Sequence, residues 1–266
     1  MKHSERDVAI VTGAGRSLGR AIAEQLHRDG YIVAVTDQDR QLAVEVANNL
    51  DATGATAKAY LLDVSSPGNV EIVFKAIADD FGVPRALVNN AGIYPDHAIV
   101  EMPVEAWDGV MAVNLRGPFL CTRAFGALML ARGRGSIVNI ASIAAGKPNA
   151  SPAYSVSKAG VLALTRHTAV EWGPRGVRAN AVSPGFIRTP LSAVHYASDE
   201  MLQWRTGLVP VRRLGTTGDI ADAAAYLASD AAGFVNGQDL IVDGGFLETP
   251  LMHAQPKADQ YGGHGH

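Results

Sequence analysis

The 266-residue chain holds one cysteine, Cys121, so no internal disulfide can staple it. No uninterrupted apolar run approaches the ~18 residues that a bilayer span needs. No sign of charge dominates: 23 basic residues face 26 acidic ones, a formal net charge of −3. That balance leaves no electrostatic footprint for nucleic acid or for an anionic membrane. The opening Met-Lys-His-Ser-Glu-Arg-Asp passes directly into an apolar strand pattern, without an h-region or a cleavage site. A cytoplasmic protein with no nucleic-acid or membrane partner is expected. What is present is a 47% hydrophobic composition, too apolar and too weakly charged for a disordered chain. A chain of this length buries a sizeable core without metal or disulfide support.

Short β-branched runs alternate with longer segments of helical spacing. Strands are predicted at Val8–Thr12, Ile32–Thr36, Ala57–Leu61, Ala86–Asn90, Ser136–Ile140, Val177–Val182 and Asp239–Val242. Most are nearly continuous apolar runs, as parallel strands covered on both faces require. Helices are predicted at Leu18–Arg28, Arg40–Leu50, Asn69–Asp80, Val104–Ala131, Ala153–Trp172 and Ile220–Ala228. This alternation implies right-handed βαβ crossovers and an α/β, doubly wound, seven-stranded parallel sheet with helices on both faces. No repeat or linker divides residues 1–246, which are expected to form one dinucleotide-binding and catalytic domain. Residues 190–217 form a long connection expected to act as a lid. Residues 247–266 form a tail without periodicity.

The run Val8-Ala-Ile-Val-Thr12 leads into Gly13-Ala-Gly-Arg-Ser-Leu-Gly19, where a helix begins. Glycines at a strand-to-helix turn admit a pyrophosphate to the backbone, and the helix N-terminus offers N–H groups and a positive dipole end. No Gly-Lys-Ser/Thr follows, which excludes a nucleoside-triphosphatase loop. The second strand ends on Asp37, whose carboxylate can bind the adenosine ribose hydroxyls and repel a 2′-phosphate. The bland reading of Asp37 is a helix N-cap. Arg16 argues the other way on cofactor, since a guanidinium attracts a 2′-phosphate. Asp37 lies nearer the ribose in this architecture and Gln38 follows it, so NAD is expected over NADP.

From here the chain resembles the short-chain dehydrogenase/reductase family, in its shorter single-domain branch, over roughly residues 7–246. Thr12-Gly-Ala-Gly-Arg-Ser-Leu-Gly19 is similar to the family's Thr-Gly-x-x-x-Gly-x-Gly, with Ser17 at the usual middle glycine. Asp63-Val64 resembles the pair that caps the adenine pocket, and Asn89-Asn-Ala-Gly92, which includes Asn90, resembles the fourth-strand motif. Asn114, Ser142, Tyr154 and Lys158 match the catalytic tetrad. Pro184, Gly185, Ile187 and Thr189 match the segment that holds the nicotinamide. The resemblance implies a Rossmann fold in which Gly13, Arg16, Ser17, Leu18 and Gly19 line the dinucleotide, and Tyr154 and Lys158 also touch it. It further implies a homotetramer paired through the two long helices, for which Ala124, Gly126, Ala127, Ala159, Val161 and Ala163 are small enough. At Ser17 a positive φ would cost about 1 kcal/mol relative to glycine. A small side chain whose hydroxyl donates to a phosphate is the expectation adopted.

Tyr154-Ser-Val-Ser-Lys158 puts a phenol and an ammonium on one helix face. The ammonium is expected to favour the phenolate, with the oxidised nicotinamide adding further positive charge, so that Tyr154 serves as general base or acid. Ser142, at a strand's carboxyl end, can donate to the substrate oxygen. Pro118 has no N–H, so the Asn114 carbonyl loses its helical partner. In the family that carbonyl holds a water joined to the lysine. Tyr94, Ile143, Ala144, Phe186 and the segment Leu191–Leu214 are the candidate pocket wall. The last of these holds His195, Tyr196 and Trp204, with Arg205, Arg212 and Arg213 as a disfavoured anion site. His253, His264 and His266 lack cysteine or carboxylate companions, so no metal site is expected. The expected activity is hydride transfer between NAD(H) and a secondary alcohol or ketone. The alternatives are an NADPH-dependent 3-oxoacyl thioester reductase and a non-catalytic dinucleotide-binding regulator.

Overall fold

Val8–Thr12 is apolar or β-branched at every position, and all five residues are buried as strand β1. Such a run needs cover on both faces and receives it inside a parallel sheet. The computed structural model describes residues 6–189 and 198–249. Strands β2 (Ile32–Asp37), β3 (Ala57–Leu61), β4 (Ala86–Asn89), β5 (Gly135–Ile140), β6 (Val177–Pro184) and β7 (Asp239–Val242) complete a seven-stranded sheet. Its order is β3-β2-β1-β4-β5-β6-β7, and every pairing is parallel. The winding direction reverses between β1 and β4, so a crevice opens beyond the carboxyl ends of these two strands.

Helices α1 (Ser17–Arg28), α2 (Arg40–Leu50) and α8 (Thr217–Ala228) cover one face, burying Ile22, Leu26, Val46, Ile220 and Leu227 against β1 and its neighbours. Helices α3 (Pro67–Phe81), α5 (Gly117–Arg132) and α6 (Pro152–Trp172) cover the other, where Ile77, Phe125, Met129 and Ala169 meet Ile10, Leu87 and Ile137. The Phe74 and Phe125 rings meet edge-on at 5.6 Å. The doubly wound α/β sandwich expected from the alternation is the observed fold.

Several boundaries differ from expectation for local reasons. α3 starts at Pro67, not Asn69, because Ser66 caps it and proline suits the first turn. β6 runs on to Pro184 because Ser183 and Pro184 pair with Ile241 and Val242 of the edge strand β7. The single helix predicted over Val104–Ala131 is three pieces: α4 (Val104–Met111), a π turn (Ala112–Arg116) and α5. Pro118 offers no N–H to Asn114, and just before it the Gly117 N–H donates to the Ala112 carbonyl, one residue beyond helical spacing. Within the connection expected as a lid, Asp199–Leu208 forms helix α7, which periodicity missed. Phe246–Glu248 at the start of the tail is a 3₁₀ turn. His195, Tyr196, His253, His264 and His266 lie outside the described residues.

Candidate active site

The loop after β1 closes tightly on itself. A Cβ on Gly19 would lie 2.1 Å from the Gly13 carbonyl oxygen, and one on Gly15 would lie 2.9 Å from Asp37 Oδ2. Gly13 has φ +62°, and Ser17 has φ +54°. The latter overturns the expectation for Ser17: the position demands left-handed backbone as well as a small side chain, and serine bears about 1 kcal/mol of strain there. Arg16, exposed, is the N-cap of α1 and supplies no side-chain bond to its first turn. Leu18 packs into the core, anchoring the turn from within.

Asp37, at the end of β2, is 8% exposed. Its Oδ2 accepts the Gly15 N–H at 2.9 Å and its Oδ1 accepts the Asp39 N–H at 3.0 Å. The N-cap of α2 is Asp39, which accepts from Gln41 and Leu42, so the capping reading of Asp37 fails. An acidic group thus stands fixed against a glycine-rich loop and a helix start without a side-chain cap. This cradle fits a dinucleotide: N–H groups for the pyrophosphate and a carboxylate for a ribose diol.

Behind the loop, the Asn90 amide donates to the Thr12 and Gly13 carbonyls at 2.9 and 3.0 Å, while Thr12 Oγ1 accepts the N–H groups of Asn90 and Ala91. Asn90 therefore braces the cradle from its rear. Asp63 is exposed and accepts from the Ser65 N–H and hydroxyl. Val64 is buried beneath the π turn, where a Cβ on Gly117 would approach its Cγ2 to 2.8 Å.

Across the crevice, the π turn carries Asn114, fully buried. Its side chain takes both backbone groups of Ile93: Oδ1 accepts the N–H at 2.8 Å and Nδ2 donates to the carbonyl at 2.9 Å. Nδ2 also donates to Ser157 Oγ at 3.3 Å. Sequence reasoning had assigned Asn114 only through its carbonyl. Ser142, following β5, accepts the Ala144 N–H at 3.1 Å and caps the short turn Ile143–Ala145. Its hydroxyl also stands near enough to the Tyr154 phenol to lower that group's pKa, so the local-turn role and the facing role coexist.

Tyr154 and Lys158 lie one turn apart near the start of α6, with Lys158 Nζ 5.5 Å from the Tyr154 ring centroid. Nζ donates to the Ile140 carbonyl at 2.7 Å. Lys158 is 4% exposed, and among the described residues no carboxylate pairs with it. Burial lowers its pKa to about 8. Tyr154 goes the other way: burial pushes the phenol above its ordinary 10, the Ser142 hydroxyl pulls it back, and the Tyr94 phenol adds to the rise. The expectation that the ammonium acidifies Tyr154 is corrected for the ligand-free protein: the net shift is upward, with desolvation its largest cause.

A polar network beneath the site escaped the sequence reading. Asn89 donates to Asn139 Oδ1 at 2.8 Å and to Thr122 Oγ1 at 3.2 Å, and Asn139 donates to Thr165 Oγ1 at 2.8 Å. These buried groups tie β4 and β5 to α5 and α6. The available signal was Asn139 near the end of an otherwise largely apolar strand, where a buried polar side chain calls for partners.

After β6, the Gly185 N–H donates to the Val242 carbonyl at 3.0 Å, and a Cβ there would lie 2.6 Å from Asp243 Cβ. Ile187 is buried and bridges to Gly215, with Thr189 two residues further on. The Phe186 and Phe246 rings meet at 4.6 Å with their planes tilted by 55°, and the Arg205 guanidinium lies 5.4 Å over the Phe186 ring. Arg213 forms a two-pronged pair with Asp219, and Arg212 donates to the Gly207 carbonyl. These two arginines are thereby engaged within the chain. Trp204 points outward, 63% exposed, and so departs from the pocket wall expected of it.

The profile described as enoyl-(acyl carrier protein) reductase matches residues 13–247. The short-chain dehydrogenase/reductase eriH of Hericium erinaceus is 41% identical over 251 residues, covering 92% of this chain and 99% of that protein. The 3-oxoacyl-[acyl-carrier-protein] reductase FabG of Staphylococcus aureus is 38% identical over 239 residues, covering 89% and 96%. A gluconate 5-dehydrogenase from Burkholderia cenocepacia, solved with NADP and tartrate, superposes with a TM-score of 0.86 at 31% identity, covering 91% and 95%. The cradle, the Ser142–Tyr154–Lys158 constellation and these likenesses together make the chain a member of the short-chain dehydrogenase/reductase family of oxidoreductases.

Proposed function

We propose that this chain interconverts a secondary alcohol and its ketone with NAD(H), using Tyr154 as the general acid/base. The observation that carries the reading is the Ser142 hydroxyl close enough to the Tyr154 phenol to lower its pKa, with Lys158 one turn away at the carboxyl edge of the sheet. When bound, the nicotinamide dinucleotide accepts or donates the hydride and, in its oxidised form, sets positive charge beside Tyr154. In the oxidative direction the alcohol proton passes to Tyr154 Oη as the hydride leaves the carbinol carbon. In reduction Tyr154 Oη returns that proton to the carbonyl oxygen. Ser142 Oγ donates to the same substrate oxygen and holds it within reach of the phenol. Lys158 is placed to take ribose hydroxyls in exchange for the Ile140 carbonyl. Gly13, Ser17 and Gly19 would hold the pyrophosphate, and Pro184, Gly185, Ile187 and Thr189 would hold the nicotinamide. Asp37 favours NAD over NADP because its charge opposes a 2′-phosphate where a ribose hydroxyl is accepted. Ala127, Ala159 and Ala163, exposed on α5 and α6, are compatible with pairing into a homotetramer.

A second reading, reduction of a 3-oxoacyl thioester with NADPH, is favoured by the name of the Staphylococcus aureus relative. One experiment separates the readings. Wild type and Tyr154→Phe are assayed with isopropanol, cyclohexanol, phenylethanol and sorbitol, and with a 3-oxoacyl thioester, using each dinucleotide. The proposal expects alcohol turnover with NAD, abolished in Tyr154→Phe while dinucleotide binding persists. Turnover of the thioester alone, with NADPH, would replace it by the second reading.

A further inference from the structure

Three elements meet around the Tyr154 ring, and one of them contributes Tyr94, a pocket-wall candidate that belongs to none of the motifs above. α6 contributes Lys158, 5.5 Å from the ring centroid, and the β5 loop contributes Ser142 at the hydroxyl. The loop after β4 contributes Tyr94, whose ring meets Tyr154 edge-on with centroids 5.0 Å apart and planes at 72°. That is the arrangement aromatic pairs prefer, the positive edge of one ring against the negative face of the other. Tyr94 is 40% exposed, so the contact sits at the rim of the site and is not core packing. Its direction is imposed from below. Asn114 holds both the N–H and the carbonyl of Ile93, which fixes the peptide planes on either side of that residue. Gly92, one residue earlier, runs so close that a Cβ there would lie 3.4 Å from Asn114 Oδ1 and 3.8 Å from Lys158 Nζ. The loop thus leaves β4 in one conformation and delivers the Tyr94 ring against Tyr154.

We propose that Tyr94 is a positioning residue: its ring keeps the Tyr154 ring in the orientation that leaves the phenol facing Ser142, and Asn114 acts on Tyr154 through this contact. The inference rests on Tyr154 being the general acid/base. A tyrosine oxygen stands far from its own Cα, so a modest side-chain rotation displaces it by about 1 Å, which is enough to slow a positioned proton transfer by orders of magnitude. Loss of one such ring contact is expected to cost about tenfold.

The test measures kcat, substrate KM and dinucleotide Kd for wild type, Tyr94→Phe, Tyr94→Leu and Tyr94→Ala with whichever alcohol of the panel above is turned over. Tyr154→Phe is the control, and thermal unfolding checks each fold. Expected are a fall in kcat of about tenfold in Tyr94→Ala and somewhat less in Tyr94→Leu. Tyr94→Phe is expected to restore kcat to within about threefold of wild type, with dinucleotide Kd unchanged throughout. Wild-type kcat in Tyr94→Ala, or a rise confined to substrate KM, overturns the proposal. So does a Tyr94→Phe as slow as Tyr94→Ala, which would assign the effect to the hydroxyl. Retained turnover in Tyr154→Phe refutes instead the general acid/base reading on which the proposal stands.

Discussion

Replacing Lys158 by methionine isolates a charge that the fold buries at a cost. A lysine ordinarily titrates at 10.5, and burial brings Lys158 to about 8. At about 1.4 kcal/mol per tenfold in proton affinity, that difference corresponds to about 3 kcal/mol of folding free energy. The sign follows from which state keeps the proton. The unfolded chain holds it up to 10.5 and the folded chain only to about 8. Below pH 8 the full cost is present, and between 8 and 10.5 it is progressively relieved, so stability rises with pH across that window. Lys158→Met lacks this dependence, although it leaves the Ile140 carbonyl without its donor, a loss of about 1–3 kcal/mol at every pH. Urea unfolding of both proteins at pH 7 and pH 10 is the assay. Wild type should gain about 2 kcal/mol relative to the variant between the two. A difference that stays constant across this range would refute the reasoning, because it would mean that the folded-state lysine titrates like a solvated one. The cost is consistent with an ammonium kept for a ligand and not for stability.

Other perturbations follow from the same geometry. Ser17→Gly should stabilise the protein by about 1 kcal/mol in chemical denaturation, since it releases a φ of +54°; an unchanged midpoint contradicts the strain. Gly126→Ala should destabilise it by about 1–3 kcal/mol, because a Cβ there would lie 2.2 Å from Trp172 Cζ3, and tryptophan fluorescence should report the displaced ring. Asp37→Asn removes the charge and keeps an acceptor for Gly15, so the ratio of NADPH to NADH efficiency should rise about tenfold or more; an unaltered ratio would remove Asp37 from cofactor choice.

The sheet was readable because parallel strands covered on both faces need unbroken apolar runs, and Val8–Thr12 is one. The Tyr154–Lys158 pair was readable because helical spacing alone puts the two on one face. α7 was not, since none of its residues is buried and no apolar period marks it. Pro118 signalled a disturbed ladder near Asn114, but not that the Asn114 side chain would take hold of Ile93, a residue distant in sequence. Ser17 was misjudged because a strand-to-helix loop can require smallness, positive φ or both, and composition does not separate them. The direction of the Tyr154 shift is set mainly by burial, which spacing leaves open.

The central claim is that Tyr154 ionises usefully only when positive charge joins it in the site. The direct test is a spectrophotometric titration of phenolate absorbance, taken as wild type minus Tyr154→Phe, without ligand and with saturating NAD⁺. The account predicts that the Tyr154 phenol titrates above 10 in the free protein and well below 10 with the oxidised dinucleotide bound. The same midpoint in both titrations would contradict it.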